Sequence, residues 1–186
     1  MLRPALPSDA PHLARLTILA MGNLADKFVN NPSDKVSLFE HFARLKNNQY
    51  SYENMLIWDE GGIMGMINCY NGADLQALRA PFLEYINSSY NVFVQPEDET
   101  QTGEYYIDCL AVYPEHQGRG IGKKLITGLA NHATANGYNK LGLLVKKDNT
   151  AALRLYISLN FKVVDDRIFM GDDYHHLQLD LETNTD

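Results

Sequence analysis

The feature that most constrains this chain is the run Gln117-Gly118-Arg119-Gly120-Ile121-Gly122, which lies between a strand-like stretch, Tyr105 to Tyr113, and a helix-like stretch, Ile121 to Asn136. Glycines at alternate positions let the backbone curl tightly and remove side chains that would keep a bulky anion from the amide N–H groups. The following helix points its unpaired N–H groups, and the positive end of its dipole, into that loop. Arg119, Lys123 and Lys124 gather positive charge here in a chain whose formal net charge is -7. The pattern predicts a cradle for a phosphate-bearing ligand.

Spacing narrows the ligand. A Walker A loop would need Gly where Gln117 stands and Ser or Thr where Lys124 stands, and a dinucleotide fingerprint would need Gly at Lys123. A nucleotide-binding module is therefore disfavoured. The pattern that fits is Q-x-x-G-x-G, met by Gln117, Gly120 and Gly122 and preceded by a strand ending Leu110-Ala111-Val112-Tyr113-Pro114.

On the continuous string Ile107 to Gly122, joined downstream by Asn149-Thr150-Ala151-Ala152, Leu155-Tyr156 and Phe161, the chain resembles the GCN5-related N-acetyltransferases, the GNAT family. The resemblance implies an α/β fold with a mixed, mostly antiparallel central sheet flanked by helices, and acetyl-CoA as co-substrate. It implies acetyl transfer to an amine by direct attack in a ternary complex. Gln117, Gly118, Arg119, Gly120, Ile121, Gly122 and Lys123 would then hold the coenzyme pyrophosphate, Leu110 and Val112 would pair through their backbone with its pantetheine arm, and Asn149 would bond that arm. Leu110 and Val112 also read as ordinary core strand residues, Asn149 as a helix cap, and Lys123 and Lys124 as a solvated helix face.

The departing thiolate needs a proton, and a phenol with a pKa near ~10 donates to a thiolate of pKa near ~8.5. Tyr156 matches the family's tyrosine in this role, although its place on the stripe Ala152, Leu155, Tyr156, Leu159 also suits a core residue. An ammonium acceptor must lose a proton to a base. Strand alternation sets Glu104, Tyr106 and Asp108 on one face, so Asp108 is the first candidate base and Glu104 the second, each also readable as a structural carboxylate. Tyr106 stands where some family members carry a base glutamate, and a family strand bulge would reverse the alternation beyond it. His175 and His176 point to opposite faces and form no metal pair, so no metal is expected.

Length and composition suit one domain over residues 1–186, with an insertion over about residues 71–102 before the central strand. Within it Leu75 to Ile86 is helix-like but interrupted by Pro81, and Gln95 to Thr100 is polar and acidic; acceptor specificity is expected here. A helix from Ser8 or Asp9 to Gly22, a helix from Asp34 to about Lys46 burying Val36, Phe39, Phe42 and Leu45, a hairpin of Tyr52 to Trp58 with Ile63 to Tyr70, a strand Lys140 to Lys146, a helix from Asn149 to Leu159 stopped by a left-handed Asn160, and a closing hairpin of Lys162 to Phe169 with Tyr174 to Leu181 complete the reading. Glu182 to Asp186 reads as frayed. Cys69 and Cys109 read as small buried strand thiols.

The acidic pI of about 5.3 argues against nucleic acid as a partner. No apolar run reaches the length of a signal peptide or a membrane span, which makes the cytoplasm the default setting. The acceptor reads as a small-molecule amine or a protein amino group, with the acidic insertion tilting toward a small cation. Dimers are frequent among similar proteins, so a homodimer enters as an expectation. The rival from another class is a non-catalytic acyl-CoA-binding sensor or interaction module.

Overall fold

A computed structural model describes residues 1–181. Seven strands form one sheet in the order β1-β2-β3-β4-β5-β7-β6. They are β1 (Leu2–Pro4), β2 (Met55–Asp59), β3 (Ile63–Asn71), β4 (Tyr105–Val112), β5 (Lys140–Lys146), β6 (Lys162–Phe169) and β7 (Asp172–Asp180). Every neighbouring pair is antiparallel except β4 with β5. The α/β sheet of mixed, mostly antiparallel strands is therefore the one expected.

Helices cover both faces. On one side lie α1 (Ala10–Met21), α2 (Lys35–Arg44) and α3 (Leu75–Tyr90), around a core that includes Leu13, Leu16, Phe39, Phe42, Phe82 and Ile86. On the other lie α4 (Ile121–Ala135) and α5 (Thr150–Ser158), whose Ile121, Leu125, Leu129 and Tyr156 pack with Ile67, Ile107, Leu141 and Phe161. The apolar spacing of α4 dictates which side it buries. Gly22 at φ 55 ends α1, and Asn160 at φ 68 follows α5 in the left-handed conformation expected of it. The last turn connects β6 to β7 through Met170 and Gly171, both at positive φ.

Three expectations need correction. In α2 the buried positions are Leu38, Phe39, Phe42 and Ala43, while Val36 and Leu45 are exposed. The helix ends at Arg44, so Leu45 has left the helical phase that would have turned it inward. Second, Pro81 does not interrupt α3: Leu75, Arg79, Phe82 and Ile86 bury one face at helical spacing, while Pro81 and Ala77, whose carbonyl loses its helical donor, are both exposed to water. Third, β2 begins at Met55 because Tyr52–Asn54 forms a 3-10 turn. The expected fraying of Glu182 to Asp186 lies outside the described residues.

Candidate active site

The local structure of β4 builds the site. On the β3 side its register shifts between Asn68 and Cys69, which face Cys109 and Ile107, so Asp108 is the extra residue of a β-bulge. The bulge reverses the strand's facing. Before it, Ile107 packs toward α4; beyond it, Cys109 and Ala111 pack toward α1 and α2, while Leu110 and Val112 turn toward α4. On the other side, β4 pairs with β5 only from Tyr105 to Ile107. From Asp108 onward the two parallel strands part.

Backbone groups line this gap. Tyr113 N–H donates to Met64 on the β3 side, so strand alternation turns the backbone groups of Val112 and Leu110 into the gap. Gln117 Nε2 donates to the Val112 carbonyl at 3.0 Å, which ties the glycine loop to the strand end. At the mouth of the gap Gly118 and Gly120 stand at φ 73 and 72, and a Cβ on either would project into open space. Among the described residues, the N–H groups of Gly118, Arg119 and Gly120 have no partner, and those of Ile121, Gly122 and Lys123 begin α4, where no earlier helical carbonyl reaches them. Such a row of unpaired N–H groups at a helix N-terminus fits an anionic diphosphate. Arg119 leans aside, with Nη1 at 3.3 Å from His116 Nδ1 and Nη2 at 3.8 Å from Glu60. Lys124 sits over the Trp58 ring at 4.9 Å, and Lys123 is exposed on the first turn of α4.

At the inner end of the gap opens a cavity of about 700 Å³. Its donor-side wall carries Leu110, Val145, Asn149, Ala152 and Tyr156. Asn149 Oδ1 accepts from Ala152 N–H at 3.1 Å, so it caps α5 and lines the cavity as well. Tyr156 packs edge-on against Phe161 yet also reaches this wall. Burial first, and Cys109 second, push its phenol above the ordinary value, so the group stays protonated.

The opposite wall carries Asp108 and a carboxylate that sequence reasoning missed, Glu99. Asp108 Oδ2 accepts from Gln49 Nε2 at 2.6 Å and from the Tyr70 hydroxyl at 2.7 Å. Glu99 accepts from Arg79 Nη2 at 2.5 Å, from Gln49 Nε2 at 3.4 Å and from the Tyr106 hydroxyl at 3.3 Å. Tyr106, which stands where a base glutamate was looked for, thus helps to hold a glutamate delivered by the chain before β4. Burial first and the Asp108 charge second push the Glu99 carboxyl up to about 7, against the downward pull of Arg79. Both phenols stay protonated donors, since burial, then Asp108 for Tyr70 and Glu99 for Tyr106, push them well up. The signal that could have found this network was the spacing Leu75, Arg79, Phe82, Ile86, which buries a cation that needs a carboxylate.

The structure does not bring Glu104 to this cavity. It is buried on the sheet, its carboxylate filling the space above Gly142. Its Oε2 meets His176 Nε2 at 3.0 Å and Gln178 Nε2 at 3.1 Å, and its Oε1 accepts from Gln101 N–H at 2.7 Å. The second candidate base is thereby corrected to a structural carboxylate: it lies two residues ahead of Tyr106, and all its oxygens are engaged within the sheet. His175 turns the other way, to Asp166 at 2.7 Å. Among the described residues no group of three or more His, Cys, Asp or Glu side chains stands together as a metal site requires.

A row of unpaired N–H groups at a helix start, a strand gap edged by free backbone groups and a polar cavity together form a site suited to a long anionic ligand. The sequence from residue 20 to 161 matches the model of the Acetyltransferase (GNAT) family, and the chain belongs to that family. It is 35% identical over 85 residues to the [ribosomal protein bS18]-alanine N-acetyltransferase of Haemophilus ducreyi, covering 44% of this chain and 59% of that protein. It is 42% identical over 65 residues to the mycothiol acetyltransferase of Gordonia bronchialis, covering 35% of this chain but 20% of that one. The chain therefore matches less than two thirds of either relative's length. An acetyltransferase crystal structure superposes with a TM-score of 0.82 at 27% identity, over 98% of this chain and 100% of that one. The Salmonella typhimurium protein yncA, solved with its cofactor acetyl-CoA, shares the fold at a TM-score of 0.59 and 19% identity, over 100% of this chain and 96% of its own.

Proposed function

We propose that the chain is an N-acetyltransferase that moves the acetyl group of acetyl-CoA to an amine acceptor held in the same cavity. The observation that carries this reading is that the cradle, the β4–β5 gap and the cavity lie in sequence, with Tyr156 on one wall of the cavity and the Glu99–Asp108 pair on the other. Acetyl-CoA would supply the acetyl group as an activated thioester. The N–H groups at the start of α4 bind its pyrophosphate, and the backbone of Leu110 and Val112 aligns its arm as an added strand would be aligned. A backbone N–H facing the gap polarises the carbonyl under attack.

The Glu99 carboxylate, set beside Asp108, takes the proton that the acceptor ammonium must lose. Asp108 is the member fixed by donors from Gln49, Tyr70 and Cys109, and Glu99 the member poised near neutrality. The Tyr156 hydroxyl holds a proton for the departing sulfur. This acid and base on facing walls favour an enzyme over an acyl-CoA sensor, for which such a pair would have no use. The same proposal sets the enzyme in the cytoplasm, as the free Cys69 and Cys109 thiols suit a reducing compartment, and takes a homodimer as its assembly, supported by the exposed Val163, Val164 and Ile168 of edge strand β6.

A melting-temperature titration with acetyl-CoA, coenzyme A, ATP and NAD tests the donor site. At ~100 times Kd, a ligand of the native state adds about 2.7 kcal/mol, and the shift is expected with the coenzyme A compounds alone. Release of the coenzyme thiol only when an amine is present then tests the transfer. Tyr156→Phe is expected to lower kcat far more than coenzyme affinity; equal rates would return Tyr156 to the core.

A further inference from the structure

Within the transferase reading, on which this rests, we infer that the acceptor is a small primary amine with an apolar body and no acid group, rather than the amino group of a polypeptide. The first observation is a roof. Lys27 Nζ donates to the Met170 carbonyl at the tip of the β6–β7 hairpin, and Met170 N–H donates to Glu97 Oε2 at 2.8 Å. The stretch after α1, the hairpin tip and the chain ahead of β4 are thus tied to one another across the acceptor end, where Lys27 and Pro96 both line the cavity. An extended polypeptide needs an open trough with backbone edges to pair against. The cavity of about 700 Å³ also takes in the donor wall, so the part beneath this roof has room for a small molecule only.

The second observation is charge. Arg79 is the cation nearest the carboxylate pair, and its donors are committed: Nη1 to the Pro96 and Glu97 carbonyls at 3.3 and 3.2 Å, Nη2 to Glu99. The carboxylate of an amino acid would have to compete with these bonds for both terminal nitrogens. Lys27 is engaged by Met170, and Lys146 pairs with Asp172 at 3.2 Å. Glu99 and Asp108 turn a carboxylate side to the cavity, which suits an ammonium and repels an acid group. On the α1 and α3 side the lining includes the partly exposed Leu24 and Leu83, backed by the buried Phe28 and Phe82, and these offer an apolar contact for the rest of the acceptor.

The experiment measures thiol release from acetyl-CoA by the full chain with 2-phenylethylamine, 1,4-diaminobutane, phenylalanine and a short peptide bearing a free amino terminus. The expected result is a kcat/KM for 2-phenylethylamine about 100-fold or more above each of the others, because like charge and polar groups left unpaired on binding are strongly selected against. Equal or faster turnover of the peptide, the amino acid or the diamine would overturn the inference and leave the transferase reading intact. A melting shift with acetyl-CoA but no thiol release with any amine would instead overturn the transferase reading, and this inference with it.

Discussion

The two ends of the cavity are built on different principles. The donor end is made of backbone: an unbroken run from Tyr105 to Ala135 supplies strand, loop and helix, and its chemistry lies in N–H groups that glycines at φ 73 and 72 leave uncovered. The acceptor end is made of side chains from four distant places, Gln49, Tyr70, Arg79 and Glu99, gathered around Asp108. A backbone site serves any sequence that keeps its glycines. A side-chain site can be retuned by one substitution, which is why the donor end suits a shared co-substrate and why we propose the other end as the one that selects the acceptor.

Substitution should separate the two ends, and the largest effect is expected where chemistry and charge coincide. Glu99→Gln together with Asp108→Asn should lower kcat/KM by ~100-fold or more, the usual range for loss of general-base catalysis, and leave the acetyl-CoA melting shift unchanged. Loss of that shift as well would mean that the ends are not independent. Gly120→Glu should do the converse: it adds negative charge where the anion sits and asks a side chain to adopt φ 72, a strain of roughly 1–2 kcal/mol, so coenzyme binding should disappear while the domain stays folded. Circular dichroism beside the binding titration checks both halves.

Arg79→Met comes next. It leaves Glu99 buried without its cation, and removal of one partner from such a pair costs about 3–5 kcal/mol, readable by denaturant unfolding at pH 8. The loss should shrink at acid pH, where Glu99 takes up a proton. Lys123→Ala is the smallest: an exposed cation at the cradle should change acetyl-CoA affinity by a few-fold at most, and less as salt is raised. A large effect there would show that side-chain charge, not backbone, grips the coenzyme.

The same contrast explains what was legible in the sequence. Gln117 to Gly122 could be read because a backbone site is contiguous and its glycines are conspicuous. Leu110, Val112, Asn149 and Tyr156 followed from the resemblance, and all but Val112 line the cavity. Asp108 lines the cavity and Glu104 does not, because hydrogen bonding to Gln101, His176 and Gln178 cannot be foreseen from alternation alone. Glu99 lay in the acidic stretch where acceptor specificity was expected, but nothing in the sequence singled it out from Glu97 and Asp98. Only tertiary folding, which buries Arg79 from α3 beneath that stretch, turns a loop carboxylate into a buried group pushed up to about 7.

The central claim is that this raised carboxylate serves the acceptor. Glu99 rises from 4.5 to about 7, so its base form fills as pH rises through about 7 and is lost below it. The stability gained by holding the proton runs the opposite way, full below about 4.5 and lost as pH passes about 7. The most direct test is the pH dependence of kcat/KM for acetyl transfer to an amine, in the native chain and in Glu99→Gln. The account predicts an acid limb with an apparent pKa near 7 in the native chain that Glu99→Gln abolishes along with most of the rate. An identical limb in both proteins, at undiminished rate, would contradict it.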